Sequence, residues 1–175
     1  MQLIQCSKKL QKEIGLKKGD LVESCPKFSF LGSWHANLLH ISRKKCVLFV
    51  NDKTLFNFIV AGVSREEIRK IDVLFTQNLS CVLLSEGIPE EVKEKVMHEY
   101  REIKYANTSN KSVIGSMNDL AFHYKHHILS EGGVHSAGIP GIIHKLNHMP
   151  MGAIGYKYSI EALKELYEST ITMHL

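Results

Sequence analysis

The 175-residue chain lacks the features that place a protein in a membrane or outside the cell. No stretch approaches the roughly 18 consecutive apolar residues that a membrane-spanning helix requires. The first residues reach lysines after only a short apolar run, which is the wrong order for a secretory signal. The four cysteines, Cys6, Cys25, Cys46 and Cys81, form no CxxC pair and are expected to be reduced thiols. These absences predict a soluble cytoplasmic protein that does not associate with a membrane.

The chain also lacks the short motifs that identify common enzymes. Neither the GxxxxGK[ST] phosphate loop nor the GxGxxG fingerprint occurs, and the GxSxG of serine hydrolases is absent. No Ser-His-Asp order, paired catalytic carboxylates or Cys-His dyad can be assigned. The acidic residues cluster on the faces of predicted helices, which argues against a two-metal nuclease. The sequence therefore leaves open whether the protein is an enzyme.

What the chain does contain is an ordinary globular composition, with 44% hydrophobic and 23% charged residues. Its length suits a single domain, and no repeat or linker divides residues 1–175. The net charge is +4, but residues 1–47 alone carry +6, because nine Lys and Arg stand against three Asp and Glu. Such a segment attracts phosphates, although a solvated lysine face would give the same count.

The hydrophobic pattern predicts an α+β fold. A strand over residues 2–6 precedes a short helix and a loop that contains Ser24 and Pro26. Residues 34–63 then read as a three-stranded meander, because the turns RKK and DKT separate apolar runs. We expect an antiparallel sheet built round this meander.

Helices follow the meander. Ser64 and Glu67 form a capping box that opens the first, and Pro89 marks the first turn of another. A later helix is expected to begin near Ser116 or Asn118, whose side chains can cap it. We expect these helices to pack mainly on one face of the sheet.

Several blocks of the sequence, LGSWHANLL, CVLFVNDKTLFNFIV, NKSVIGSMNDLAFHYKHHI, SEGGVH and MPMGAIGYKY, together resemble a bacterial family known only as a domain of unknown function. The likeness covers nearly the whole chain, and its most specific block is residues 112–119. The resemblance implies a bacterial cytoplasmic protein. It supplies no catalytic residue.

The turn before the later helix is the main candidate binding site, and its residues are Lys111, Ser112, Gly115, Ser116 and Asn118. Free amides at a helix N-terminus attract anions, glycine permits close approach, and hydroxyls and an ammonium add donors. The sequence therefore predicts a site for a phosphate-bearing ligand, either a nucleotide or a nucleic acid. The alternative is that the polar side chains only cap the helix.

The segment WHAN places the only tryptophan, Trp34, next to His35 and close to Asn37. The indole could stack on a base while Asn37 reads an edge of the ligand. More often a lone tryptophan closes the end of a core. We include all three residues among the candidate ligand contacts.

Two histidine pairs, His123/His127 and His144/His148, have the i,i+4 spacing that places both rings on one helical face. Such pairs can bind a transition metal, as HExxH does, but the glutamate of that motif is missing. The sequence therefore predicts neither a metal nor another cofactor, and leaves metal binding by these pairs undecided.

Two other functions remain open. A metal-independent phosphodiesterase or ribonuclease could use His35, His123 and His127 as acid and base, with Lys111 steadying the phosphorane. The chain could instead be a protein-interaction module of a toxin-antitoxin or defence system. A second copy of the chain is a further candidate partner.

Overall fold

The structure, a computed structural model, describes residues 1–23 and 30–172, with side chains as far as residue 169. The predicted loop residues Ser24 and Pro26 and the thiol of Cys25 lie outside the described residues. In the described ranges no helix is long and apolar enough to cross a membrane.

The strands are β1 Gln2–Cys6, β2 Trp34–Ile41, β3 Lys44–Asn51, β4 Asn57–Ala61, β5 Ile103–Asn107, β6 Pro150–Met151 and β7 Lys157–Tyr158. The α-helices are α1 Lys8–Ile14, α2 Arg65–Arg69, α3 Ile71–Ser85, α4 Glu90–Glu99, α5 Lys111–Ser130, α6 Ile139–Asn147 and α7 Ser159–Thr172. Short 3-10 turns lie at Lys18–Asp20 and Gly152–Ile154.

The five longer strands form one sheet in the order β4-β3-β2-β1-β5. Strands β2, β3 and β4 are the predicted antiparallel meander, whereas β1 runs parallel to both β2 and β5. The α+β class is therefore confirmed, and the purely antiparallel sheet is wrong. Parallel neighbours need long crossover connections, and α1 lies in the one that leads from β1 to β2.

Helices cover both faces of the sheet rather than mainly one. On one face Trp34, Phe49 and Phe58 pack against Phe75 of α3, with ring centroids 5.1 to 5.9 Å from that of Phe75. Neighbouring strand residues point to opposite faces, so Asn57 points the other way from Phe58. On that second face the sheet packs against α5 and α6. An expectation of one covered face was wrong because the apolar run of β3 is buried on both sides.

One row of residues crosses the whole sheet on the face below α5. The strand register aligns Asn57, Val50, His35, Gln5 and Ala106 on β4, β3, β2, β1 and β5 respectively. Three of the five are polar and all five are buried. Buried polar groups need hydrogen-bond partners, so the three polar side chains of this row must find such partners inside the protein.

The capping box of α2 is confirmed. The Ser64 hydroxyl accepts from the Glu67 amide at 3.2 Å, and the Glu67 carboxylate accepts from the Ser64 amide at 2.7 Å. The bond from the Ser64 amide is the main cause of a lowered pKa for Glu67, because the charged carboxylate accepts it.

Candidate functional site

Helix α5 begins earlier than its polar sequence predicted. It starts at Lys111, and the side-chain oxygen of Asn110 accepts from the amides of Ser112 and Val113 at 3.0 and 3.2 Å. Gly115 and Asn118 lie inside the helix. The predicted helix start near Asn118 is therefore wrong. Two of the N-terminal amides, those of Ser112 and Val113, donate to the Asn110 side chain and are not available to an anion.

The signal for the true start was in the sequence. Val113, Met117, Leu120 and Tyr124 are buried at spacings of three and four, so the apolar stripe of the helix reaches back to Val113. Ser116 lies on the same helix, between buried positions. A stripe that begins at Val113 is typical of a helix whose N-cap is Asn110.

The three residues of the WHAN segment have different surroundings. Trp34 is fully buried and its indole N–H donates to the Tyr100 hydroxyl at 2.9 Å, so it lies in the core, away from any surface ligand. Asn37 is half-buried on β2. The side chain of His35 is fully buried and belongs to a hydrogen-bond network.

This network, called here the Gln5 network, consists of Gln5, His35, Asp52 and Ser109. His35 Nδ1 lies 2.5 Å from Asp52 Oδ1, and Gln5 Nε2 donates to Asp52 Oδ2 at 2.8 Å. The Ser109 amide and hydroxyl both donate to Gln5 Oε1, at 3.2 and 2.9 Å. The network therefore ties the turn after β3 and the segment before α5 to β1, an interior strand of the sheet.

At the far end of the network, His35 Nε2 is buried and has no hydrogen-bond partner among the described residues. A carboxylate only accepts hydrogen bonds, so the His35–Asp52 bond requires a proton on Nδ1. Sequence analysis selected His35 but gave no sign of Asp52, which looked like an ordinary turn residue.

A cavity of about 380 Å³ lies beside this network. We call it the β1–β5 cavity, since Leu3 and Gln5 of β1 and Ala106 and Asn107 of β5 line it. The remaining lining comes from Ser109 and from the segment that includes Lys18, Leu21, Val22 and Glu23. Its lining therefore combines apolar side chains with charged and hydrogen-bonding ones, and the latter are called here the rim.

The rim is held at the carboxyl ends of two parallel strands. Gln11 Nε2 donates to the Cys6 carbonyl at 2.7 Å and to Asn107 Oδ1 at 3.1 Å, which joins the ends of β1 and β5. Burial raises the pKa of the Cys6 thiol to about 12, so this cysteine stays protonated and unreactive. Crevices at the carboxyl ends of parallel strands are common ligand sites.

The residues proposed for catalysis are not brought together. Lys111 and His123 are twelve positions apart on α5, which corresponds to about 18 Å along a helix. His123 lines a different cavity with Ser116, and His35 lines neither cavity. His127 has its pKa lowered, first by burial and then by nearby positive charges. These positions do not allow Lys111 and His123 to act on one phosphate.

The second histidine pair does lie on one helical face. His144 lies on α6 and His148 directly follows it, and both face Glu86, the residue directly after α3. The sequence gave no hint of this glutamate, because it lies 58 positions before His144.

Comparison with known proteins gives one match. A family model described as a domain of unknown function, DUF6933, matches residues 3–162. No curated protein and no solved structure matches the chain.

Proposed function

The chain belongs to the DUF6933 family of domains of unknown function, and from its own residues we propose that it binds a phosphate-bearing ligand, specifically a nucleotide, in the β1–β5 cavity. The observation that carries this proposal is the cavity itself, whose rim is held in place by the Gln5 network.

Two lysines lie in or next to the cavity and attract an anion, while Glu23 in the lining offsets one of their charges. Lys18 lines the cavity, and Lys111 lies two positions after Ser109, which also lines it. Both lysines are exposed, so their ammonium groups can reach a phosphate. Side chains rather than helix amides would hold the anion, because Asn110 already takes two of those amides.

The other rim groups favour a ligand with more than a phosphate. The Ser109 hydroxyl donates its proton to Gln5, so towards a ligand it acts as an acceptor. Glu23 is also an acceptor, whereas the amide nitrogen of Asn107 is a donor. A nucleotide adds ribose hydroxyl and base amino donors for such acceptors, whereas inorganic phosphate offers only its own protonated oxygens.

The size of the cavity supports a small ligand rather than a strand of nucleic acid. Its volume of about 380 Å³ falls within the roughly 300–1,000 Å³ typical of small-molecule sites. A strand of nucleic acid is usually followed by a longer positive groove with aromatic stacking platforms. Trp34, the residue suggested for stacking, is in the core.

The test is calorimetric titration of the full chain with AMP and ATP. Lys18→Ala should weaken nucleotide binding at least tenfold, and Lys9→Ala, an exposed lysine of α1 outside the cavity, should leave it unchanged. Both changes are on the surface, so stability should move by no more than about 0.5 kcal/mol.

Absence of nucleotide binding by the unmodified protein would refute the proposal. Equal weakening by Lys18→Ala and Lys9→Ala would refute it too, since general attraction to a basic surface would then explain the binding. An oligonucleotide that binds with steep salt dependence, and equally well to both variants, would identify nucleic acid on that surface instead.

A further inference from the structure

We propose that Glu86, His144 and His148 form a binding site for one divalent transition metal of the zinc class. Two imidazoles and one carboxylate are a ligand set of zinc enzymes and of iron(II) oxygenases. This site is separate from the β1–β5 cavity, because none of the three residues lines that cavity. Failure of the proposed nucleotide binding would therefore leave the proposed metal site unaffected, and the reverse also holds.

The first argument is the environment of Glu86. Its side chain is only 2% exposed, and it lies directly after α3, where the negative end of the helix dipole disfavours a carboxylate. Within the described part of the chain Glu86 pairs with no lysine or arginine, and its ionic partners are His144 and His148. A buried carboxylate in this position is stabilised by a cation, which a bound metal supplies.

The second argument is distance. His144 Nδ1 lies 3.2 Å from both oxygens of Glu86, and His148 Nδ1 lies 3.9 Å from Oε2. Ligand atoms about 2.0–2.2 Å from one zinc ion are roughly 3–3.5 Å from each other. All three residues offer a ligand atom within 4.8 Å of the other two, so small side-chain rotations would complete the site.

Neighbouring contacts orient both rings. The imidazoles of His144 and His148 lie in contact, with centroids 4.0 Å apart and ring planes tilted by 35°. His148 Nδ1 also lies 2.7 Å from the His144 carbonyl, and such bonds commonly orient a metal-binding histidine so that its other nitrogen is free. A metal would therefore bind His148 either at that free nitrogen or at Nδ1 in place of the bond.

The third argument is access. The side chains of His144 and His148 are 61% and 37% exposed, so an ion can arrive from solvent while Glu86 closes the inner side. Three protein ligands leave at least one coordination position for water or another small molecule. Imidazole ligands select zinc, cobalt, nickel or iron(II) over calcium and magnesium, which prefer oxygen.

The chain contains a matched control, the pair His123 and His127 on α5. It has the same i,i+4 spacing and includes half-buried rings, but it forms no three-residue metal cluster in the ranges that the structure describes. A comparison of the two pairs separates a built site from the general affinity of neighbouring histidines for zinc.

The experiment is a titration of the tag-free, metal-free full chain with ZnCl₂ by calorimetry. We expect one zinc per chain, at least tenfold weaker binding for His144→Ala and for His148→Ala, and unchanged binding for the double variant His123→Ala/His127→Ala. Glu86→Gln should weaken binding similarly. If that buried change prevents folding, the two histidine variants carry the test alone.

Failure of the unmodified protein to bind zinc would overturn the proposal, as would equal zinc binding by His144→Ala/His148→Ala. Loss of binding in His123→Ala/His127→Ala would place the zinc on α5 and would overturn it as well. Cobalt(II) adds a direct readout, since its visible absorption should change with the α6 variants and not with the α5 variants.

Discussion

Two histidine–carboxylate pairs in this molecule are arranged in opposite ways. In the His35–Asp52 pair the imidazole is 0% exposed and the carboxylate 17% exposed, with the two atoms 2.5 Å apart. In the His144–Glu86 pair the carboxylate is 2% exposed and the imidazole 61% exposed, at 3.2 Å. The buried partner is therefore the imidazole in the first pair and the carboxylate in the second pair.

The difference indicates different roles. An enclosed imidazole cannot meet a solute, so His35 acts through the residues that it holds, namely Asp52 and, through it, Gln5. An exposed imidazole above an enclosed carboxylate can accept an ion from solvent. We infer that the first pair supports the sheet and the second is open to a ligand, and three substitutions test this contrast.

The largest effect is expected for His35→Ala. This change removes a fully buried side chain and leaves Asp52 without one of its two partners, so unfolding free energy should fall by about 2–4 kcal/mol. Urea denaturation measures the loss. The control is His40→Ala, an exposed histidine on the same strand, which should change little. A loss no greater than that of His40→Ala would contradict a structural role for His35.

An intermediate effect is expected for Asp52→Asn. The asparagine keeps the shape of the side chain, but its amide nitrogen would face one of the two donors, His35 or Gln5, that the carboxylate now accepts. We expect a loss of about 1–2 kcal/mol, measured by the same denaturation. The double variant His35→Ala/Asp52→Asn should lose less than the sum of the single losses, and strict additivity would show that the pair is not coupled.

The smallest effect is expected for His144→Ala in metal-free protein. Its ring is mostly exposed and Glu86 keeps His148 as a partner, so the free energy of unfolding should fall by no more than about 1 kcal/mol. Added zinc should raise the melting temperature of the unmodified chain and not that of the variant. A loss in the metal-free protein as large as that of His35→Ala would erase the contrast between the pairs.

The local parts of the fold were predictable because their signals are local. The meander follows from apolar runs between turns, and the capping box of Ser64 and Glu67 follows from a spacing of three. The parallel pairing of β1 with β5 was not predictable in this way. It joins residues about a hundred positions apart, and neither segment contains a pattern that identifies the strand with which it pairs.

The candidate sites show the same limit. The sequence identified three histidines of these pairs as candidates, namely His35, His144 and His148. Their acidic partners were not identified, because Asp52 has the pattern of a turn residue and Glu86 that of a helix end. Each becomes a partner only when distant segments meet, over 17 and 58 positions. The start of α5 is a different case, because a local pattern did indicate it. The apolar stripe begins at Val113, whereas the prediction followed the polar residues Ser116 and Asn118 further along.

A final consequence concerns Asn147, which ends α6 at the outer edge of the sheet. Its side-chain oxygen accepts from the Asn57 amide at 2.9 Å, and its nitrogen donates to the Asn57 carbonyl at 2.7 Å. One carboxamide thus copies the paired bonds that an adjoining chain would make to β4. Exposed edge strands recruit other molecules into aggregates, and this side chain occupies the place where such recruitment would start.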